Sequence, residues 1–258
     1  MAEDRLPAKT ATIAPHPRLA ELRRFADARI GLGRAGAAMP TAAHLRFTLD
    51  HARARDAVYS ALDPEPLRQL AQEQGLPLAE VRSQAQDRAV YVRRPDLGRR
   101  LDPTGADALA LLPTGKDVVL VVADGLSATA VNQNAAALLH RLIPTLRDQR
   151  RSLAGLVIAS QARVALGDPI ALALGARIVL LLIGERPGLS AADSLGAYLT
   201  FEATPGTPDS RRNCVSNIRT GGLDPATAAA RLAWLVNTMH EARTSGVTLP
   251  TSTTPLLG

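Results

Sequence analysis

Cysteine is nearly absent: Cys214 stands alone in 258 residues. No intrachain disulfide can form from it, and a Cys-rich zinc module is excluded. An intracellular chain is therefore expected. Aromatic residues make up only 3%, and no basic patch interleaves with them, which argues against base stacking on single-stranded nucleic acid. Long apolar runs are missing too. VVLVVA from Val118 and ARIVLLLIG from Ala176 are too short to cross a bilayer. The N-terminal MAEDRLPAKT carries acids and no apolar stretch, so no secretory signal is expected. Lysine is scarce: Lys9 and Lys116 are the only two among 30 lysines and arginines.

The net charge of +6 admits a polyanionic partner. It fits equally well with solvated arginines scattered among acids, and neither a nucleic-acid nor a membrane partner is expected. With 46% hydrophobic and 21% charged residues, the chain has ordinary globular composition, which excludes wholesale disorder and coiled-coil classes. Its length suits one large domain or two modest ones.

Residues 1–18 carry Pro7, Pro15 and Pro17 and predict a flexible arm. Residues 19–112 predict a mainly helical region. Leu19, Leu22, Phe25 and Ile30 recur at helical spacing, as do Leu45, Leu49, Ala52 and Val58. No strand alternation is visible before Pro113. Residues 113–258 change character. DVVLVVA (117–123), LAGLVIA (153–159) and ARIVLLLIG (176–184) are short, unbroken apolar runs, as expected of strands covered on both faces. LGAYLTF (195–201) alternates, which suggests a fourth strand nearer an edge. Helices are expected from Ala128 to about Arg147, over Asp168–Gly175, and from Pro225 to Thr244. Strands alternating with helices predict an α/β fold with a parallel sheet and flanking helices.

Ligands of such sheets sit beyond the carboxyl ends of the strands. The loops expected there are ADGLSA (123–128), SQARVALGD (160–168), GERPGLS (184–190) and RRNCVSNIRTGG (211–222). They are expected to converge on one rim and carry most of the polar chemistry of this half. Several motifs compete for attention. Gly31–Gly36 matches GxGxxG, but a dinucleotide site needs a strand before it and a helix after it; a helix–helix turn is the better reading. DGLSATA resembles the GxSxG nucleophile elbow with Thr129 in place of the second glycine. An acyl hydrolase would have to enlist Asp193 and His240, and Ser127 reads more simply as a helix cap. Cys214 is either a thiolate activated by Arg211, Arg212 and Arg219 or a packed side chain. The histidines His16, His44, His51, His140 and His240 show no metal-ligand spacing, so no metal site is expected. Glu185, held between Gly184 and the Pro187–Gly188 turn, is either a ligand contact or a solvated loop acid.

Taken together, ADGLSATAV (123–131), SQARVALGD, LIGERPGLSAADSLGAYLTF (182–201) and RNCVSNIR (212–219) resemble the small, or light, subunit of ethanolamine ammonia-lyase. GLGRAGAAMPTAAHLRFTLDHARARDAV (31–58) is similar to the same family. The resemblance covers nearly the whole chain beyond the arm. It implies a subunit of an enzyme that uses adenosylcobalamin as a radical source to turn ethanolamine into acetaldehyde and ammonia. The catalytic side chains would belong to a large barrel subunit. This chain would hold the cobalamin on a Rossmann-like domain at 113–258, with 19–112 docking to the large subunit. The positions matching the family's cofactor contacts are Val164, Glu185 and Cys214; Asp124, Ser127, Asn213, Ser216 and Asn217 are further candidates. The resemblance places the chain in the cytoplasm and leaves packaging in a bacterial microcompartment open. It implies no catalytic residue and no protein metal ligand here. The chain also lacks the D-x-H-x-x-G motif by which some cobalamin proteins replace the cofactor's own lower base.

Overall fold

A computed structural model of the chain describes residues 12–13, 17–22, 25 and 28–249. The chain forms two compact units, Met1–Arg55 with Gly188–Ala191, and Asp56–Pro187 with Ala192–Gly258.

In the smaller unit, β1 (Thr12–Ile13) pairs antiparallel with β2 (Arg34–Ala35), and α1 (Pro17–Glu21) is one short turn. Helix α2 (Thr41–Tyr59) begins here. The helix–helix turn expected at Gly31–Gly36 is instead part of this ladder. Gly31, Gly33 and Gly36 all adopt positive φ, which a helix cannot accommodate. Of the helical run expected over Leu19–Ile30, α1 ends at Glu21, and the described residues Phe25 and Ala28–Ile30 are not helical. The apolar stripe of α2 exists but is not buried within the chain. Leu45 and Leu49 are 62% and 49% exposed, and the helix buries Ala57 alone. The arm expected at 1–18 lies largely outside the described residues.

The larger unit is built on one six-stranded sheet. Its strands are β3 (Leu78–Arg82), β4 (Val118–Ala123), β5 (Leu153–Ser160), β6 (Ile178–Gly184), β7 (Leu195–Phe201) and β8 (Arg212–Ile218), in the order β3-β5-β4-β6-β7-β8. The first four are parallel; β7 and β8 are antiparallel to their neighbours. The unbroken apolar runs follow from double coverage. Val118, Leu120 and Val122 face α6 (Ala128–Asp148) and α8 (Pro225–Ala242), with α3 (Glu65–Glu73) beside them. Val119, Val121 and Ala123 face α5 (Gly105–Leu109) and α7 (Gly167–Leu174). A short helix, α4 (Arg88–Arg93), buries Tyr91 completely. Gly175 closes α7 in the left-handed conformation.

Two expectations are corrected and one is met. A strand does precede Pro113: β3 alternates with Ala79 and Val81 buried and Glu80 exposed, and its five residues are too few to stand out among prolines. β7 is near an edge, as expected. It lies between β6 and β8, and it alternates because the two faces of the sheet differ there. RNCVSNI is not a loop; it is the edge strand β8, polar because one rim and much of one face are open.

Candidate functional site

β7 alone runs antiparallel to the rest, and β8, antiparallel to β7, runs parallel to the first four strands. Most of the fourth selected stretch is β8 itself, which crosses the sheet, and only its last residues return to the carboxyl rim. The loops after β4, β5 and β6 share the carboxyl end. Arg212 pairs with Thr200 toward the opposite end, and Cys214 pairs with Tyr198 in mid-sheet. The convergence occurs on a face instead. Gly196, Tyr198 and Thr200 of β7 point to one side, and Cys214 and Arg212 of β8 stand beside them. Helix α7 covers β4 and β6 but stops short of this strip. The result is an open trough of about 970 Å³, lined by Val164, Ala165, Pro169, Tyr198 and Cys214, with Asp168 and Arg212 deeper in.

Val164 starts a single 3-10 turn, Val164–Leu166, directly ahead of α7, and is half-buried against the core. The turn is anchored upstream. The buried Asp124 carboxylate accepts the N–H groups of Gln161 and Ala162 at 2.9 and 3.0 Å, with Arg88 at 3.5 Å. Burial pushes the Asp124 pKa up against the pull of those donors. Downstream, Arg212 holds Asp168 by two parallel contacts of 2.7 Å, and both side chains are at least 96% buried. Burial opposes the Arg212 charge, but the Asp168 hydrogen bonds prevail and its pKa is raised.

Glu185 follows β6 and leans over Gly196, where an added Cβ would lie 2.8 Å from its Oε1. Ser194 Oγ donates to Oε2 at 2.5 Å, and the backbone N–H of Asn217 approaches the same atom at 3.4 Å. Oε1 has no hydrogen-bond partner among the described residues and is available as an acceptor. Beside it, Tyr198 and Cys214 are directly opposite each other on β7 and β8. Burial raises both pKa values, and the Glu185 charge adds to the rise at each. Cys214 is exposed but not activated: its arginine neighbours in sequence do not make it a thiolate.

The other candidates are already engaged. Ser127 is buried, caps α6 by accepting from Ala130 N–H at 3.2 Å and donates to the Ala192 carbonyl at 2.7 Å. The partners a hydrolase would need are elsewhere. Asp193 lies 3.6 Å from Arg219, and His240 lies 3.3 Å from Asp117, which precedes β4 at the amino end of the sheet. A Ser127 hydrolase is excluded by this geometry. Asn213 exchanges two hydrogen bonds with the Gly246 backbone. Asn217, left-handed at φ 59°, accepts from Arg219 Nε at 2.9 Å. Ser216 is exposed on β8. Sequence reasoning did not single out Gly196, Tyr198 or the Asp168–Arg212 pair. The alternation of LGAYLTF was the available signal for the first two.

A protein with this layout presents an α/β sheet, mostly parallel, with a broad polar-fringed trough rather than a nucleophile–base constellation. The family model for the ethanolamine ammonia-lyase light chain (EutC) matches residues 16–250, and the chain belongs to that family. It is 53% identical over 231 residues to the ethanolamine ammonia-lyase small subunit of Bradyrhizobium diazoefficiens, covering 89% of this chain and 88% of that one. It is 51% identical to that of Rhodopseudomonas palustris, with 90% and 89% covered. The relative from Xanthomonas campestris pv. campestris is 46% identical over 254 residues, or 96% and 93% of the two chains.

Proposed function

We propose that this chain is the cobalamin-holding subunit of an adenosylcobalamin-dependent ethanolamine ammonia-lyase, working with a large catalytic subunit that converts ethanolamine to acetaldehyde and ammonia. The observation that carries the reading is the trough. Val164 and Cys214 line it, and the unpaired Glu185 Oε1 stands beside it over Gly196. A corrin is a broad, largely apolar plate fringed with amides, and the residues present fit it. Val164 and Tyr198 offer apolar contact, and Glu185 Oε1 can accept an amide N–H. The trough is open, so it would cover one side of the plate and leave the other to the partner.

When bound, adenosylcobalamin supplies the radical that starts the reaction. The residues of this chain bind, orient and shield it. The larger unit is the cobalamin-binding, Rossmann-like part. The exposed apolar stripe of α2, with Leu45 and Leu49, supports docking of the front region to the large subunit. The site of action is the cytoplasm, with a microcompartment where the host forms one. Among the described residues no helix is long and apolar enough to cross a membrane.

Co-expression with the large subunit tests the reading. Co-purification is expected, with cobalamin absorbance retained only in the complex. A complex that forms but takes up no adenosylcobalamin would overturn it.

A further inference from the structure

The trough is basic at one end. Arg99, Arg100 and Arg163 line it beside Val164. Unlike Arg212, whose charge is met by Asp168 and Asp209, these three form no ion pair among the described residues. Arg99 and Arg100 are exposed, at the end of a 3-10 turn (Leu97–Arg99). The nearby Asp96 is already held by Arg94 through two hydrogen bonds of 2.9 and 2.7 Å.

Arg163 is pre-positioned. Its guanidinium lies 4.3 Å from the Tyr91 ring centroid, and Nη2 donates to the Tyr91 carbonyl at 3.3 Å. Its backbone N–H donates to the Gly98 carbonyl at 2.8 Å. Gly98 is the residue that makes room: a Cβ there would come within 2.8 Å of Arg163 Cγ. The buried Nε of Arg163 has no acceptor. A guanidinium fixed over a ring, with two further arginines lining the same trough, is suited to a multiply accepting anion.

We propose that Arg99, Arg100 and Arg163 form a cradle for a phosphate ester, namely the phosphodiester in the nucleotide loop of the cofactor. This rests on the reading of the trough as a cobalamin site. The amide fringe of the corrin is neutral, and the phosphodiester is the one anionic group of the molecule. The trough thus divides the labour: Glu185 accepts from amides on one side, and the arginines donate to the phosphate at the other end. Free inorganic phosphate shares the chemistry and is the alternative source.

The test uses the reconstituted complex with the large subunit, in wild-type form and with Arg99→Gln and Arg100→Gln combined. Both positions are exposed, so the substitutions leave the core intact. A third sample carries Arg163→Lys, which keeps the charge and loses the fork. Binding is titrated with adenosylcobalamin, adenosylcobinamide phosphate and adenosylcobinamide, which lacks the phosphate. The double variant is expected to weaken the first two by about tenfold and to leave adenosylcobinamide within about twofold, with a shallower salt dependence for the first two. Arg163→Lys is expected to show the same selectivity. Equal losses for all three ligands, or none, would overturn the cradle. So would tight binding of inorganic phosphate that the double variant abolishes while adenosylcobalamin affinity is unchanged. Wild-type complex that binds none of the corrinoids would instead overturn the cobalamin reading, and this proposal with it.

Discussion

Arg212 grips Asp168 through two 2.7 Å contacts, tying the edge strand β8 to the first turn of α7. The pair joins the element that carries Cys214 to the one that follows Val164, so it sets the width of the trough. Arg212 also donates to the Thr207 carbonyl at 2.9 Å and to Thr200 Oγ1 at 3.2 Å.

Breaking this pair from one side leaves a buried, uncompensated charge. Asp168→Ala is expected to destabilise the chain by roughly 3–5 kcal/mol, measured by urea unfolding followed by circular dichroism. A loss below about 1 kcal/mol would show that the pair is not a structural tie.

Gly196→Ala places a methyl group where the Glu185 carboxylate lies. Gly196 is in an ordinary strand conformation, so the backbone tolerates the change. The expected outcome is weaker cofactor binding by the complex with a melting temperature close to wild type. Unaltered affinity would show that the position of Glu185 over β7 is immaterial.

The Cys214 thiol is raised above its ordinary pKa, first by burial and then by the Glu185 charge. It is therefore protonated at neutral pH. Alkylation by iodoacetamide is expected to be slow at pH 7 and to rise with a midpoint above the usual value of about 8.5. Glu185→Gln, which removes the neighbouring charge, is expected to move the midpoint down. A midpoint below that of a free thiol would contradict the assignment.

Asp117 ties the start of β4 to Ser152 and His240. Partial burial raises its pKa, but the hydrogen bonds from Ser152 outweigh this, and its pKa in the folded state is lowered. A depressed carboxylate stabilises the fold above its unfolded pKa of about 3.9, and that contribution is lost as pH falls through the lower folded value. Asp117→Asn is accordingly expected to reduce stability at pH 7 and to flatten the loss of stability below about pH 4. Parallel pH–stability curves for the two proteins would refute it.

The three buried strands were legible in the sequence because double coverage forces unbroken apolar runs such as VVLVVA and IVLLLIG. The helix stops and caps were legible for similar local reasons, Gly175 and Ser127 among them. β3 was not, because five residues with one exposed glutamate carry little periodic signal. β8 was not, because an edge strand with an open face is free to be polar, and RNCVSNI reads as a loop. Val164, Glu185 and Cys214 were selected through a family resemblance and a rim argument. The rim argument fails for Cys214, which lies in mid-strand. What brings Cys214 beside Val164 is the antiparallel return of β7 and the pairing of β8 against it, a tertiary arrangement that no local pattern reports.

The lower axial position of the cobalamin offers a separate check. Among the described residues no histidine lines the trough; His140 borders a different groove on α6, and His240 pairs with Asp117. The cofactor is expected to keep its own dimethylbenzimidazole as lower ligand. Electron paramagnetic resonance of the cob(II)alamin state, with nitrogen-15 only in protein histidine, is expected to retain triplet superhyperfine splitting. Doublets would identify a histidine ligand.

The central claim is tested most directly by titrating the reconstituted complex with adenosylcobalamin, in wild-type form and with Glu185→Ala. An amide left without its acceptor costs about 1–3 kcal/mol, so apparent affinity is expected to fall roughly ten- to a hundred-fold, while turnover at saturating cofactor stays near wild type. Unchanged affinity with collapsed turnover would contradict the account, since Glu185 would then serve the chemistry and not the holding of the cofactor.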